Sequence, residues 1–479
     1  MASTTIAAAE CIRRLFSTEG PNANEKSPTP LKHDGKVHNP LGGGSYIFRN
    51  KYISSHIRYL GLPLPDSPSP SYQPTTLIIH IGAQPNNSPH AGTIVVFILA
   101  FLIAREIKLY YASLCAAPNA SEELQKFVDD LSVIVHLGIV DTAPDNDKCM
   151  DREGYAYQRS QRFTNAQDKF LPDYKELLDA ASVFTNIPYE MTNQEALMRM
   201  PGVPHVIEAM IKDHARLGPE IAPDTGCLAV RRACPHSGCG LAEKHGRKNQ
   251  YTVMPSGLVK LEFYCPDHGY HSVDSADPDG IASLEFNTPA RNIVRSLAYS
   301  IDTHQSRATL QARARVHMRV TGSDYAGTYA EQLLWRQLIL LFPSLSLPSS
   351  LSLPSSLSLP SSLSLPSSPS LPSSLQTPTP MMMKELTTVT AYAPLILDWS
   401  GSKLSKSLYV SNGAYEYLKE SGMGYLLSFE EMKKMGRRVE VLFREVEGWL
   451  VDGKKLFRGW SVEYLHGVFE RELGGGGGD

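Results

Sequence analysis

The sequence has no excess of charge of either sign. Lysine and arginine number 46 against 49 aspartates and glutamates, a formal net charge of −3. A globally basic field for holding nucleic acid is therefore excluded, although a local basic face is not. It also lacks an apolar run of membrane length. The longest, Thr93 to Ala104, is about twelve residues, where a span takes roughly 18–20, so it reads as a buried core helix and no membrane partner is expected. Residues 1–18 contain Arg13 and Arg14 but no uninterrupted apolar stretch, and Glu10 counts against a transit peptide. Cysteine is sparse and odd in number, seven in all. With no secretory leader ahead of them, the thiols are expected to stay reduced in a cytoplasmic protein, with a mitochondrial placement second.

Hydrophobic residues make up 42% and charged residues 20% of the 479, which is globular composition, and the length asks for two or three folded units. Residues 1–75 are polar and broken by proline, glycine and serine, apart from a short helical pattern at Tyr52–Leu60; they are read as a flexible extension. At Thr76 a β-branched run, Leu77-Ile78-Ile79-His80-Ile81-Gly82, predicts a buried parallel strand. A turn follows, then an apolar helix from His90 to Lys108. Strand, tight turn and buried helix are the first half of a nucleotide-binding βα unit. Helical stretches are expected at Glu122–Leu137 and Gln194–Met200, with the first half of the α/β domain covering 76–225. A cysteine-bearing insertion is placed at 226–275, and the second half of the α/β pattern at 276–342, with a strand over Val316–Gly322. Residues 343–380 repeat a proline-bearing six-residue unit that allows neither helix nor central strand, and they are read as a disordered insertion. A lysine-loop segment, 381–425, and a helical tail, 426–479, complete the division.

Three segments carry chemistry. The first is Pro85-Asn86-Asn87-Ser88-Pro89-His90-Ala91-Gly92-Thr93 at the strand-to-helix junction. There, unpaired N–H groups and the positive end of the helix dipole suit a phosphate, and a histidine in the first turn can donate to a phosphate oxygen. His80 lies inside the strand and is set aside in favour of His90. The second is Lys403-Leu404-Ser405-Lys406-Ser407, a cationic loop able to neutralise charge on a leaving pyrophosphate. The third is Cys234-x4-Cys239 followed by Cys265-x2-His268. Paired soft ligands on two turns flanking a predicted hairpin, Gln250–Met254 and Val259–Tyr264, describe a closed tetrahedral zinc site. In it His271 could replace His268, and His236 is a spare. Each segment also has an ordinary reading: a helix-start histidine, a solvated basic turn, unlinked thiols.

Together, the His90-Ala91-Gly92-Thr93 and Lys403-Leu404-Ser405-Lys406-Ser407 segments resemble the two signatures of class I aminoacyl-tRNA synthetases. The zinc-type insertion, followed by Phe286-Asn287-Thr288-Pro289-Ala290-Arg291, looks most like the class I type of lysyl-tRNA synthetase. The resemblance implies an α/β class I synthetase fold: a Rossmann-like parallel sheet split by a zinc-ribbon insertion, with a short helical C-terminal tail. It implies ATP with Mg²⁺, structural Zn²⁺, an amino acid as substrate, lysine among the candidates, and a tRNA acceptor end as partner. His90, Thr93, Lys403 and Lys406 would act on phosphate, with Ser405 and Ser407 beside them. Gly92 would leave room for adenine, and Gly322 and Asp324 would hold the ribose. Only about seventy residues follow Ser407, so two other readings stand beside this one: an adenylating paralogue with a non-tRNA acceptor, and a non-catalytic synthetase-like RNA-binding or regulatory protein.

Overall fold

The β-branched run after Pro74 forms strand β1 (Thr75–Ala83), the middle of a five-stranded sheet. Its neighbours are β2 (Ser132–Ile139), β3 (Tyr189–Asn193), β4 (Ala314–Gly322) and β5 (Val389–Ala393), in the order β5-β4-β1-β2-β3, with every pairing parallel. The computed structural model describes residues 51–64, 73–118, 120–145, 148–309, 312–341, 388–404 and 415–474. The six-residue repeat and most of the polar N-terminal stretch lie outside these, as do Ser405, Lys406 and Ser407 of the lysine loop.

One face of this sheet is apolar. Leu77, Ile79 and Ile81 of β1, Val133, Val135 and Leu137 of β2, and Val316, Met318 and Val320 of β4 all enter one core. Helix α2 (Ala91–Cys115), apolar nearly all round for its first half, lies buried on that face. Helices α1 (Tyr52–Tyr59), α3 (Leu171–Thr185) and α5 (Glu440–Val451) pack around α2. Residues 51–64 thus belong to the folded body although the sequence reading puts them in the extension: Ile57, Leu60, Leu62 and Leu64 are buried in this core. The helical tail joins it as well, through Phe443, Trp449 and Phe469.

The expected helix Glu122–Leu137 is two elements. A helix covers Glu122–Asp130, and Leu131 leaves it in an extended conformation. The β-branched Val133-Ile134-Val135 then lies as β2 beside β1, because the pleat accepts stiff branched side chains better than a continuing helix does.

Helix α4 (Ala290–Ala308) crosses the other face of the sheet and contacts β4. Its far side enters a second core with Val203, Ile207, Leu261, Phe263, Leu334 and Leu338, which ties the inserted segments to the sheet. Among the described residues no helix is long and apolar enough to cross a membrane.

Candidate functional site

In a parallel sheet of this order the chain leaves β1 and β4 toward opposite sides, and a crevice opens beyond their carboxyl ends. A cavity of about 310 Å³ occupies that position, lined by Gly82 and the 84–93 turn on one side and by Thr321, Gly322 and Asp324 on the other.

His90 is the N-cap of α2, with φ −91° and ψ 167°. Its Nδ1 accepts the Gly92 N–H at 3.1 Å, so in the neutral ring the proton sits on Nε2. A Cβ at residue 92 would come within 2.9 Å of His90 Cε1. Gly92 therefore keeps room for the imidazole of His90, where the sequence reading reserved that space for adenine. Thr93 follows in the first turn, and its N–H donates to the His90 carbonyl at 2.9 Å. Across the crevice, the side-chain space of Gly322 is filled by the Asp324 carboxylate. Lys403 Nζ reaches Asp324 Oδ2 at 2.5 Å, so the first lysine of the cationic loop and the acid expected at the ribose are joined to each other. His90, Gly92, Thr93, Gly322, Asp324 and Lys403 all line the one cavity.

The same cavity is lined by three residues for which the sequence reading had no role: Arg291 and Arg295 of α4 and Arg319 of β4. Arg291 is buried; one terminal nitrogen donates to Thr288 Oγ1 at 2.9 Å, while its Nε has no hydrogen-bond partner. Arg295 donates to Asn292 Oδ1 at 3.3 Å, and the Arg319 guanidinium lies 5.6 Å from the centre of the Tyr325 ring. Among the described residues none of the three forms a salt bridge. Burial, and then the neighbouring charge of Arg295, push Arg291 down to about 9 and Arg319 to about 10. Both stay cationic at neutral pH, in surroundings that resist the charge. One signal was local: Arg291 and Arg295 stand at i and i+4 of a helix, where like charges repel.

Behind these arginines the polar face continues as a hydrogen-bonded row. His136 Nε2 lies 2.8 Å from Thr192 Oγ1, and His136 and His80 meet through their Nδ1 atoms at 3.0 Å. His80 Nε2 is 2.7 Å from His317 Nδ1, and His317 Nε2 is 2.9 Å from Asp302 Oδ2. Arg315 pairs with the same carboxylate, and Tyr299 of α4 stacks on His80 and His317 with ring centres 4.1 and 4.6 Å away. Burial holds His80 well below the ordinary imidazole range and brings His136 to about 4.

The third expected site lies in the insertion. Strands Gln250–Val253, Val259–Cys265 and Gly269–Asp274 form an antiparallel sheet. Two turns present four ligand atoms: Cys234 and Cys239 from one, Cys265 and His268 from the other, all within 4.8 Å of one another. Gly238 and Gly269 take φ of 76° and 74° in those turns, which a Cβ would penalise. Cys234 Sγ and Cys265 Sγ each lie 3.5 Å from His268 Nδ1, and Cys239 Sγ lies 3.6 Å from Cys265 Sγ. A tetrahedral zinc with Zn–S of about 2.3 Å needs edges of roughly 3.5–3.8 Å, so the set fits that ion. His236 stacks on His268 with ring centres 4.1 Å apart, and His271 packs against Phe263; neither belongs to the set.

No family model matches the chain, and no curated protein matches it in sequence. Among solved structures, a proposed arginyl-tRNA synthetase from Campylobacter jejuni aligns over 90% of this chain and 91% of that one, at 10% identity and a TM-score of 0.23. A score that low supports no argument about fold or chemistry.

Proposed function

We propose that the chain activates an amino acid with ATP, forming an aminoacyl adenylate and releasing pyrophosphate. The supporting observation is that the His90–Thr93 turn, the Gly322–Asp324 turn and Lys403 converge on one crevice at the switch point of a parallel sheet. These are the segments whose sequence resembles the two class I synthetase signatures and the nucleoside-binding turn of that family.

In the proposed step the amino acid carboxylate attacks the α-phosphorus in line. An acyl–oxygen–phosphorus bond forms, and the bond to the pyrophosphate oxygen breaks. His90, protonated on Nε2, donates to a phosphate oxygen as charge builds, and the amide of Thr93 lies in the same first turn of α2. ATP replaces the Lys403–Asp324 pair: the ammonium moves to phosphate and the carboxylate to a ribose hydroxyl. Lys406, with Ser405 and Ser407, would complete the cationic side of the loop. ATP carries its Mg²⁺ with it. Zinc on Cys234, Cys239, Cys265 and His268 would be structural, since four protein ligands leave no open position.

Amino-acid-dependent ATP–pyrophosphate exchange, run with each of the twenty amino acids, tests the reading. His90→Ala should lower the exchange rate by about 10²–10³-fold with the fold retained. Absence of exchange with every amino acid in a folded preparation would overturn the reading. Transfer of labelled amino acid to tRNA separates a tRNA ligase from a paralogue with another acceptor. For zinc, metal analysis of a Cys234→Ser/Cys265→Ser variant should show the loss of about one equivalent per chain; unchanged metal content would refute the ligand set.

A further inference from the structure

The crevice has two cationic walls with different partners. On the first, the charge of Lys403 is already met by Asp324, and the helix start at His90–Thr93 offers dipoles more than net charge. The second wall holds Arg291, Arg295 and Arg319, and among the described residues no carboxylate pairs with any of them. Asp324 is the only acidic residue among the described ones lining the cavity.

An amino acid placed between these walls brings a zwitterionic backbone. Its α-carboxylate, the attacking group, must face the α-phosphate, and one guanidinium suffices to hold it through two parallel hydrogen bonds. Its α-ammonium is repelled by the arginines. A neutral side chain would leave the remaining guanidiniums unpaired in the crevice, and a lysine side chain would add a further positive charge to them. Arg295 also lines a second cavity, of about 290 Å³, under the histidine row. Arg295 thus links the nucleotide crevice to this cavity, whose other charged lining is Arg315, Asp302 and Glu190, with Asp302 already paired to Arg315; a substrate's side chain has room there.

Resting on the adenylation reading, we infer that Arg291, Arg295 and Arg319 bind a second carboxylate, so that the activated substrate is an acidic amino acid and not lysine. The side-chain carboxylate is taken up by the arginine wall, and the α-carboxylate turns toward the phosphates. Rejection of the amide isosteres follows, because an uncharged amide offers one acceptor oxygen and an unwanted N–H donor pair to a surface made only of donors.

The discriminating experiment is exchange and equilibrium binding with aspartate, glutamate, asparagine, glutamine and lysine, on the full chain with zinc retained. Binding is measured by calorimetry in the presence of a non-hydrolysable ATP analogue. One of the acidic amino acids should support exchange at least about tenfold better than its amide, with lysine at background. Arg295→Gln and Arg319→Gln should raise KM for that amino acid by about tenfold or more and leave KM for ATP within about threefold. Thermal melts of each variant confirm the fold, and Arg319→Lys should recover part of the loss because charge remains while the two-pronged geometry is gone. If KM for ATP rises in step with KM for the amino acid, the arginines serve phosphate and the inference fails. Exchange driven best by lysine or by a neutral amino acid also overturns it, while ATP activation itself stands. Silence with all twenty amino acids removes both.

Discussion

Side chains from β1, β2 and β4 point alternately to two faces of one sheet, and the two faces are made of opposite chemistry. Toward α2 stand Leu77, Ile79, Val135, Leu137 and Met318, all fully buried. Toward α4, one residue out of step, stand His80, His136, His317 and Arg319, joined by Asp302 and Arg315. A central parallel strand is normally apolar on both sides, because helices cover both. Here both faces are covered, but the second one holds groups that cost free energy to bury. On the proposed function the difference separates the work of folding from the work of binding: the α2 face stabilises the sheet, and the α4 face supplies charge and hydrogen bonds to a crevice.

The largest expected effect is on the apolar side. Ile79→Ala removes a wholly buried side chain from between the sheet and α2, and should lower unfolding free energy by about 2–5 kcal/mol in urea titration. ATP affinity of the folded fraction should stay within a few-fold of the parent. A variant that kept its stability and lost nucleotide binding would break the division of labour between the faces.

The polar face should show itself on acidification. Burial holds His136 at about 4, against about 6.5 in an unfolded chain. The folded state therefore refuses a proton that the unfolded chain accepts. Stability is full above about pH 6.5 and falls as pH drops toward 4, by on the order of 2–3 kcal/mol for this one group. His80 is shifted in the same direction; His317 and Arg295 lie near both, and Arg319 lies near His80. Asp302 behaves oppositely. Burial raises it, but the hydrogen bonds from Arg315 and His317 outweigh this and bring it to about 2, so its stabilising contribution disappears only at lower pH. Urea melts at pH 7, 5 and 4 should show a shallower decline for His136→Gln than for the parent between pH 6.5 and 4. Equal slopes would remove the histidine row from the account.

How much of this was legible in the sequence follows the distance over which each signal acts. β1 and α2 are uninterrupted apolar runs and can be read directly. The cluster of Cys234, Cys239, Cys265 and His268, which could hold a metal ion, is legible because each pair sits within one turn. The strand β2 was hidden because an amphipathic helix, Glu122–Asp130, runs into it without glycine or proline, leaving only the β-branched Val133-Ile134-Val135 to mark the change. The residues around His90 and Lys403 stood out as local motifs, yet their partners did not. That Gly92 makes room for His90, and that Lys403 holds Asp324, are relations in space. The arginine wall was least legible of all. Arg291, Arg295 and Arg319 come from a helix and a strand, and what distinguishes them is that no carboxylate among the described residues pairs with them.

That last property gives the smallest effect and the sharpest test of the contrast. Arg319 sits half-buried on β4 with its guanidinium against Tyr325 and its charge opposed by Arg295. Folding must dehydrate it, and no described residue supplies a counter-ion, so its charge does not stabilise the empty protein. Arg319→Met keeps the long aliphatic stem and removes the charge. Its unfolding free energy should equal the parent's or exceed it by about 1 kcal/mol or less, as expected if Arg319 serves the proposed substrate site and not the fold. The parent should then gain stability from ligand that the variant cannot match, because an anion seated on the wall supplies the missing counter-charge to the folded state alone. The measurement is a pair of urea titrations, without ligand and with the amino acid and ATP analogue present. A large loss of stability in ligand-free Arg319→Met would mean that this arginine serves the fold, and the polar face would then differ from the apolar one in chemistry but not in purpose.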